Sequence, residues 1–362
     1  MNEGECEVSN IIKLGVNEMI NLLEEIISVS NICEVPSIML WGPPGVGKSR
    51  GVFGLAERLK EKLNKKVIVH DIRLINFNPV DLRGIPTSDV DKKFAIWLKP
   101  KIFDMDSSED VINILFLDEI SACVASVQAA AYQITLDKKV GEHELPENCI
   151  VIAAGNRVTD KAVSYKMSSA LANRMTHLEI EPSVDDWKTW AYNNGIDERI
   201  ISYINYKNSS LFRFNPGSDD VAFPTPRSWE MANFYLTKLK SVDKAYGLIA
   251  GAIGLGTAVE FRGFTKIYSK LPDIEKIFKG ENVEVPSEPD ILYAVSGAIV
   301  SRVIKSSKPK ELENAFEYIE KMPIEYGVLI VKDMLKIKGL SNKLTKTDNF
   351  DKWLEKFGKY VN

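Results

Sequence analysis

Cysteine and histidine are scarce in this 362-residue chain, with four of the first and three of the second. The cysteines (Cys6, Cys33, Cys123, Cys149) form no C-x-x-C pair, which argues against a zinc ribbon, a dithiol redox motif or a disulfide framework. His70, His143 and His177 stand far apart, without chelating spacing. Long hydrophobic runs are missing too. The nearest to the ~20 residues a membrane span needs, residues 248–259, contains glycines, is followed by Arg262 and reads as a buried helix. Charge of one sign is also lacking: 46 Lys+Arg against 50 Asp+Glu leave a net −4, so bulk electrostatics ask for neither nucleic acid nor an anionic membrane. The opening residues Met1-Asn2-Glu3-Gly4-Glu5 are acidic and polar, the reverse of a secretory leader. A cytoplasmic location with reduced thiols is the expectation.

What is present is ordinary globular material, long enough for two or three domains. Apolar residues recur at helical spacing over residues 8–29. Short apolar runs at 37–41, 66–71, 111–117, 149–154 and 177–180, bounded by turn residues or charge, predict buried parallel strands. Helical patterns at 49–63 and 126–136 lie between them. Strands alternating with helices predict an α/β fold whose ligands gather at the strands' C-terminal ends. From Asp185 onward strand signals stop, and helices are predicted over 185–193, 198–206, 228–239, 243–254, 290–305, 309–321 and 349–360.

The chemistry is concentrated after the first strand. Gly42-Pro43-Pro44-Gly45-Val46-Gly47-Lys48-Ser49 fits G-x-x-x-x-G-K-[ST] in full. Glycines let backbone N–H groups curl around phosphate oxygens, Lys48 neutralises their charge, and Ser49 offers a hydroxyl to Mg²⁺. The helix that follows adds its positive end. The apolar run ending Leu117-Asp118-Glu119 supplies what the loop lacks: Asp118 can hold Mg²⁺ and Glu119 can polarise an attacking water. Asn156, after the next strand, can position that water or sense the terminal phosphate; a turn-forming asparagine is the plain alternative. No guanine-reading Asn-Lys-x-Asp run is present, so ATP is the expected nucleotide.

In this order the phosphate loop, Leu-Asp-Glu, a strand-terminal asparagine and a late arginine resemble the AAA+ superfamily. In detail the chain resembles the MoxR branch, through Val80-Asp81-Leu82-Arg83-Gly84-Ile85-Pro86, Ala153-Ala154-Gly155-Asn156-Arg157, Ala170-Leu171-Ala172-Asn173-Arg174-Met175 and Phe223-Pro224-Thr225-Pro226-Arg227-Ser228-Trp229-Glu230. The likeness is good over residues 35–240 and weak beyond.

That resemblance implies a P-loop NTPase core over residues 1–182 with an N-terminal helix, a helical lid over 183–270 and a C-terminal helical extension over 271–362. It implies Asn156 as first sensor, Arg174 as the finger reaching a neighbour's ATP, and Arg227 as second sensor on the lid. Arg157 is an alternative finger. A helix-capping arginine at 174 and a structural salt bridge at 227 are the bland readings. It further implies a homo-oligomeric ring, expected to be a hexamer, and a protein client, with a partner carrying a von Willebrand A domain typical of the branch. Two hairpin-like insertions, 87–101 and 136–145, face the pore in that family; plain surface hairpins remain the alternative.

Two rival classes stay in view. A nucleic-acid motor would need basic hairpins, and Lys92, Lys93, Lys99, Lys101, Lys138 and Lys139 are offset by Asp89, Asp91, Glu142 and Glu144. A nucleotide-gated scaffold that scarcely turns over could lose Glu119 freely, so the intact Asp118-Glu119 pair argues against it.

Overall fold

The computed structural model describes residues 11–160, 167, 172–305, 308–345 and 347–360. Cys6, the predicted start of the first helix, and Ala170 and Leu171 of the arginine-bearing stretch lie outside the described residues. The chain divides into two units, one reaching to Pro182 together with Asn215–Ser218, the other comprising Ser183–Phe214 and the residues from Asp219.

The first unit runs β1 (Lys13–Leu14), α1 (Val16–Val29), β2 (Ile38–Trp41), α2 (Lys48–Leu63), β3 (Lys66–Arg73), α3 (Pro79–Arg83), β4 (Ile85–Ser88), β5 (Ala95–Leu98), β6 (Val111–Asp118), α4 (Ala125–Asp137), β7 (Lys139–Val140), β8 (His143–Glu144), β9 (Cys149–Gly155) and β10 (Thr176–Ile180). Six strands form one parallel sheet in the order β1-β10-β2-β9-β6-β3. Every residue of β6 and β9 is buried, because helices cover both faces. Successive side chains point to opposite faces. Ile114 and Phe116 meet Met19, Leu23, Leu55 and Leu59 of α1 and α2. Leu115 and Leu117 meet Val127, Ala131 and Ile134 of α4 on the other side. Burying a side chain such as Phe116 stabilises the fold by roughly 1.5–3 kcal/mol.

This topology positions the site. β2, β9 and β6 are neighbours, so the phosphate loop after β2, Asn156 after β9 and Asp118 at the tip of β6 share one edge. The chain leaves β2 for β3 on one side of the sheet and returns through β10 on the other, and ligands bind beside such a reversal.

Two expectations are corrected here. The first helix begins at Val16, because Lys13 and Leu14 instead pair with Glu179 and Ile180 and bury Leu14 at the sheet edge. Residues 248–259 are not one buried helix. Gly254 (φ 82°) ends the first of two helices, and a Cβ there would lie 2.7 Å from the Ala222 carbonyl oxygen. Leu248, Leu255 and Val259 are 51%, 66% and 53% exposed, so each helix buries only one face. The two insertions do form antiparallel hairpins, β4–β5 and β7–β8. Phe94 at the first hairpin's turn is 72% exposed and is no part of a core.

The second unit is helical: α5 (Val184–Asn193), α6 (Glu198–Tyr206), α7 (Pro226–Leu239), α8 (Val242–Ile253), α9 (Leu255–Thr265), α10 (Ile274–Lys279), α11 (Pro289–Lys305), α12 (Pro309–Ile319), α13 (Ile324–Leu335), α14 (Ser341–Leu344) and α15 (Asp348–Phe357). One core runs through it from Trp187 to Trp353. Trp229 packs edge-on to Phe261 and donates its indole N–H to Ser210 O at 2.8 Å. Among the described residues no helix is long and apolar enough to cross a membrane.

The core of this unit contains an ion pair, Lys188 Nζ to Asp333 Oδ1 at 2.5 Å, with both side chains almost fully buried. Tyr192 donates its hydroxyl to Asp333 Oδ2 at 2.7 Å. Burial holds the Lys188 pKa below that of an ordinary lysine despite Asp333, and pushes Tyr192 well above a usual phenol. Lys188→Ala should therefore cost about 3 kcal/mol, because it leaves a buried carboxylate with only Lys336 Nζ, 3.9 Å away, to face it. Lys207→Ala, which removes an exposed pair with Glu260, should cost less than about 1 kcal/mol. Urea unfolding followed by Trp fluorescence checks both, and equal losses would contradict the burial argument.

Candidate nucleotide site

The loop between β2 and α2 is shaped by close packing. Gly42 sits where a Cβ would lie 2.6 Å from the Ile180 carbonyl oxygen, so no side chain fits. Val46 is buried and anchors the loop from within. α2 opens at Lys48, which brings the positive end of a 16-residue helix to the loop. Lys48 Nζ donates to Gly42 O at 2.6 Å, to Pro43 O at 3.1 Å and to Asn156 Oδ1 at 3.0 Å. The lysine expected to meet phosphate and the expected sensor are thus in direct contact. Pro44 and Gly45 complete the turn, with Gly45 at φ 77°.

Ser49 Oγ donates to Asp118 Oδ2 at 3.0 Å. A hydroxyl and a carboxylate side by side fit Mg²⁺, which takes one or two protein oxygens, phosphate oxygens and water. Asp118 is 8% exposed, and its other oxygen accepts the Glu119 backbone N–H at 2.9 Å. Glu119 adopts a left-handed conformation, φ 60°, which is uncommon for a residue with a Cβ. The next turn fixes it: Ile120 N bonds Ala154 O at 3.0 Å and Ala122 N bonds Glu119 O at 2.9 Å. The backbone of the residue expected to act as base is therefore held in an uncommon conformation.

Sequence reasoning missed several contributors. Ser121 Oγ accepts the Asn156 backbone N–H at 3.0 Å and so fixes that residue's main chain. Val16 lies against Gly47 and Gly51, which brings the start of α1 onto the phosphate loop. Asp71 on β3 has a carboxyl pKa raised above the usual range, first by burial and then by the Asp118 carboxylate. None of these carries a local sequence signal.

The arginines separate. Arg157 is engaged within its own unit: its guanidinium pairs with Asp160 at 2.8 Å and with Glu179, two carboxylates almost fully buried. These acids, with Asp160's hydrogen bonds foremost, raise the arginine's pKa. Withdrawing Arg157 toward another subunit would strand both carboxylates, which is the physical objection to it as a finger. Arg174 is exposed, on the turn before β10. Arg227 is exposed at the start of α7, in the helical unit. That start is fixed by a reciprocal cap between Thr225 and Ser228, with Pro226 in the first turn.

Each histidine ring is engaged by the protein: His70 with Asn113, His143 with Trp97 O, and His177 with Trp41 and Ala172 O. Burial pushes the Cys123 thiol up to about 11 and the Cys149 thiol up to about 12, so both stay protonated at neutral pH.

Residues 38–180 match the model of the ATPase family associated with various cellular activities (AAA). No curated protein matches the sequence. Solved structures are similar at low identity. PCH-2 from C. elegans is 15% identical, with 80% of this chain and 66% of that chain covered and a TM-score of 0.32. NtrX from Brucella abortus in complex with ATP is 12% identical over 95% of this chain and 68% of that one, at a TM-score of 0.37. A HORMA:CdnC:Trip13 complex from E. coli MS115-1 gives 11% identity over 69% and 88%, at a TM-score of 0.35. Scores this low have no bearing on partners or substrates. The family match covers residues 38–180, the span whose sheet brings the phosphate loop, Asp118 and Asn156 to one edge.

Proposed function

We propose that the chain hydrolyses ATP as a ring of the MoxR kind, most simply a hexamer, and uses the energy to remodel a protein client. The observation that carries this reading is the contact of Lys48 with Asn156, beside that of Ser49 with Asp118. Together they assemble the parts of a phosphoryl-transfer site on one strand edge.

In this reading Lys48 and the loop backbone of Gly42–Ser49 hold the phosphates, while Ser49 and Asp118 hold Mg²⁺. The ion, bound with its nucleotide, would neutralise charge on the phosphate oxygens. Glu119 accepts a proton from the attacking water, and Asn156 orients that water and senses the terminal phosphate. Arg174 of the next subunit stabilises charge on the transferred group. Arg227 reads the same phosphate from a lid formed by residues 183–270, with 271–362 as an extension. The exposed apolar hairpin β4–β5, with Phe94 at its turn, suits a client-gripping element. A partner with a von Willebrand A domain and a cytoplasmic setting belong to this proposal.

Glu119→Gln should bind ATP as the parent does but turn over at least about a hundredfold more slowly, since the phosphate and metal ligands survive and the base is lost. Lys48→Ala should lose ATP binding, because the main cation facing the phosphates is gone. Calorimetry and phosphate release distinguish the two, and a Glu119→Gln protein that hydrolyses normally would remove Glu119 from its role.

Site sharing has its own test. Arg174→Ala and Glu119→Gln should each be nearly inactive, yet equal mixing should complete about a quarter of the interfaces of a head-to-tail ring. ATPase activity should reappear on mixing. If subunit exchange is verified and no activity returns, Arg174 does not act across the interface.

A further inference from the structure

The segment carrying Arg174 is held by a ring that neither the phosphate loop nor the expected sensors use. Trp41 Nε1 lies 2.8 Å from His177 Nδ1. An indole nitrogen can only donate, so Nδ1 must accept and carries no proton. The proton of the neutral imidazole is then on Nε2, which lies 2.7 Å from the Ala172 carbonyl oxygen and donates to it. The two rings are nearly parallel, 11° apart, an arrangement that an in-plane N–H to N bond allows. Chemistry thus fixes the tautomer.

Both ends of this bond pair lead somewhere. Ala172 O also accepts the Met175 backbone N–H at 3.4 Å, closing the turn on which Arg174 is exposed. Met175 is buried, and Thr176 N bonds Ser37 O at 2.9 Å, so the far end of the turn is fixed to the sheet. His177 fixes the near end. Trp41, in turn, is the residue before Gly42, whose carbonyl accepts Lys48 Nζ, and it pairs across the sheet with Gly155, next to Asn156. A continuous set of bonds joins the lysine that meets phosphate in one subunit to the turn that presents Arg174.

We propose that His177, in its Nε2–H form and braced by Trp41, is the positioning residue for Arg174, tying the placement of that arginine to the phosphate loop of its own subunit. The inference rests on Arg174 acting in the neighbour's site. It adds that the neighbour's catalysis responds to how the donor subunit's loop is held.

The test uses the full chain with three variants. His177→Phe keeps a ring and removes both bonds. His177→Gln places an amide near the Nε2 position and keeps the bond to Ala172. Trp41→Phe keeps the packing and removes the brace. His177→Phe should lose about a hundredfold in kcat, the scale of a misplacement near 1 Å, with KM for ATP changed less than about twofold. His177→Gln should recover most of the loss, and Trp41→Phe should fall between them.

Mixing supplies the readout that a structural role would not move. His177→Phe protein mixed with Glu119→Gln protein should regain activity, since the second supplies a correctly held Arg174. Mixed with Arg174→Ala protein it should stay inactive, because both defects lie on the same side of the interface. Unchanged kcat in His177→Phe would overturn the proposal. So would a loss that Glu119→Gln protein cannot complement, or one that Arg174→Ala protein can. If the Glu119→Gln and Arg174→Ala mixture itself stays inactive, the shared site is wrong and the positioning role falls with it. If that mixture works and only the His177 variants misbehave, the fault lies in the positioning role alone.

Discussion

The contacts of one ammonium organise the rest of the candidate nucleotide site. The Lys48 ammonium is held so that it points across the loop. The carbonyls of Gly42 and Pro43 and the amide oxygen of Asn156 do this with dipoles. A carboxylate in their place would compete with phosphate for the same charge. The contact with Asn156 needs β9 beside β2, and the one between Ser49 and Asp118 needs β6 beside β9. The sheet order is therefore a condition of the chemistry, and the buried alternation of β6 and β9 keeps that order in place.

The second unit is stabilised differently. Its core is aromatic and aliphatic, with edge-on ring contacts among Tyr203, Trp229 and Phe261, and within it lies the Lys188–Asp333 pair. Several helix starts there carry side-chain caps, one-way at Ser183, Asp197 and Ser241 and reciprocal at Thr225 and Ser228. Arg227 owes its position to that cap.

Much of the first unit was legible in the sequence because its signals are local. A buried parallel strand reads as an apolar run whatever its neighbours, and Lys48 and Ser49 follow the glycines at fixed spacing. Two-residue β1 was not legible, since its pairing with β10 is a contact between residues some 170 positions apart in sequence. The helices Ile274–Lys279, Ile324–Leu335 and Ser341–Leu344 were also missed. They are short or apolar on several faces, so no stripe stands out. The left-handed turn at Glu119 and the ring pair Trp41–His177 have no local cause, and only the assembled sheet creates them. The break at Gly254 could be suspected from composition, but its reason, the nearness of Ala222, could not.

Arg157 carries a consequence for how genetic loss is interpreted in this chain. Its guanidinium is the counter-charge for Asp160 and Glu179, both sealed from water, and Glu179 lies in β10 itself. Removing the arginine would take a counter-charge from two buried carboxylates, one of them on the strand beside β2. An inactive Arg157 substitution would thus record damage to the scaffold and say nothing about catalysis. Only variants that also neutralise the acids, such as Asp160→Asn with Glu179→Gln, would separate the two kinds of failure.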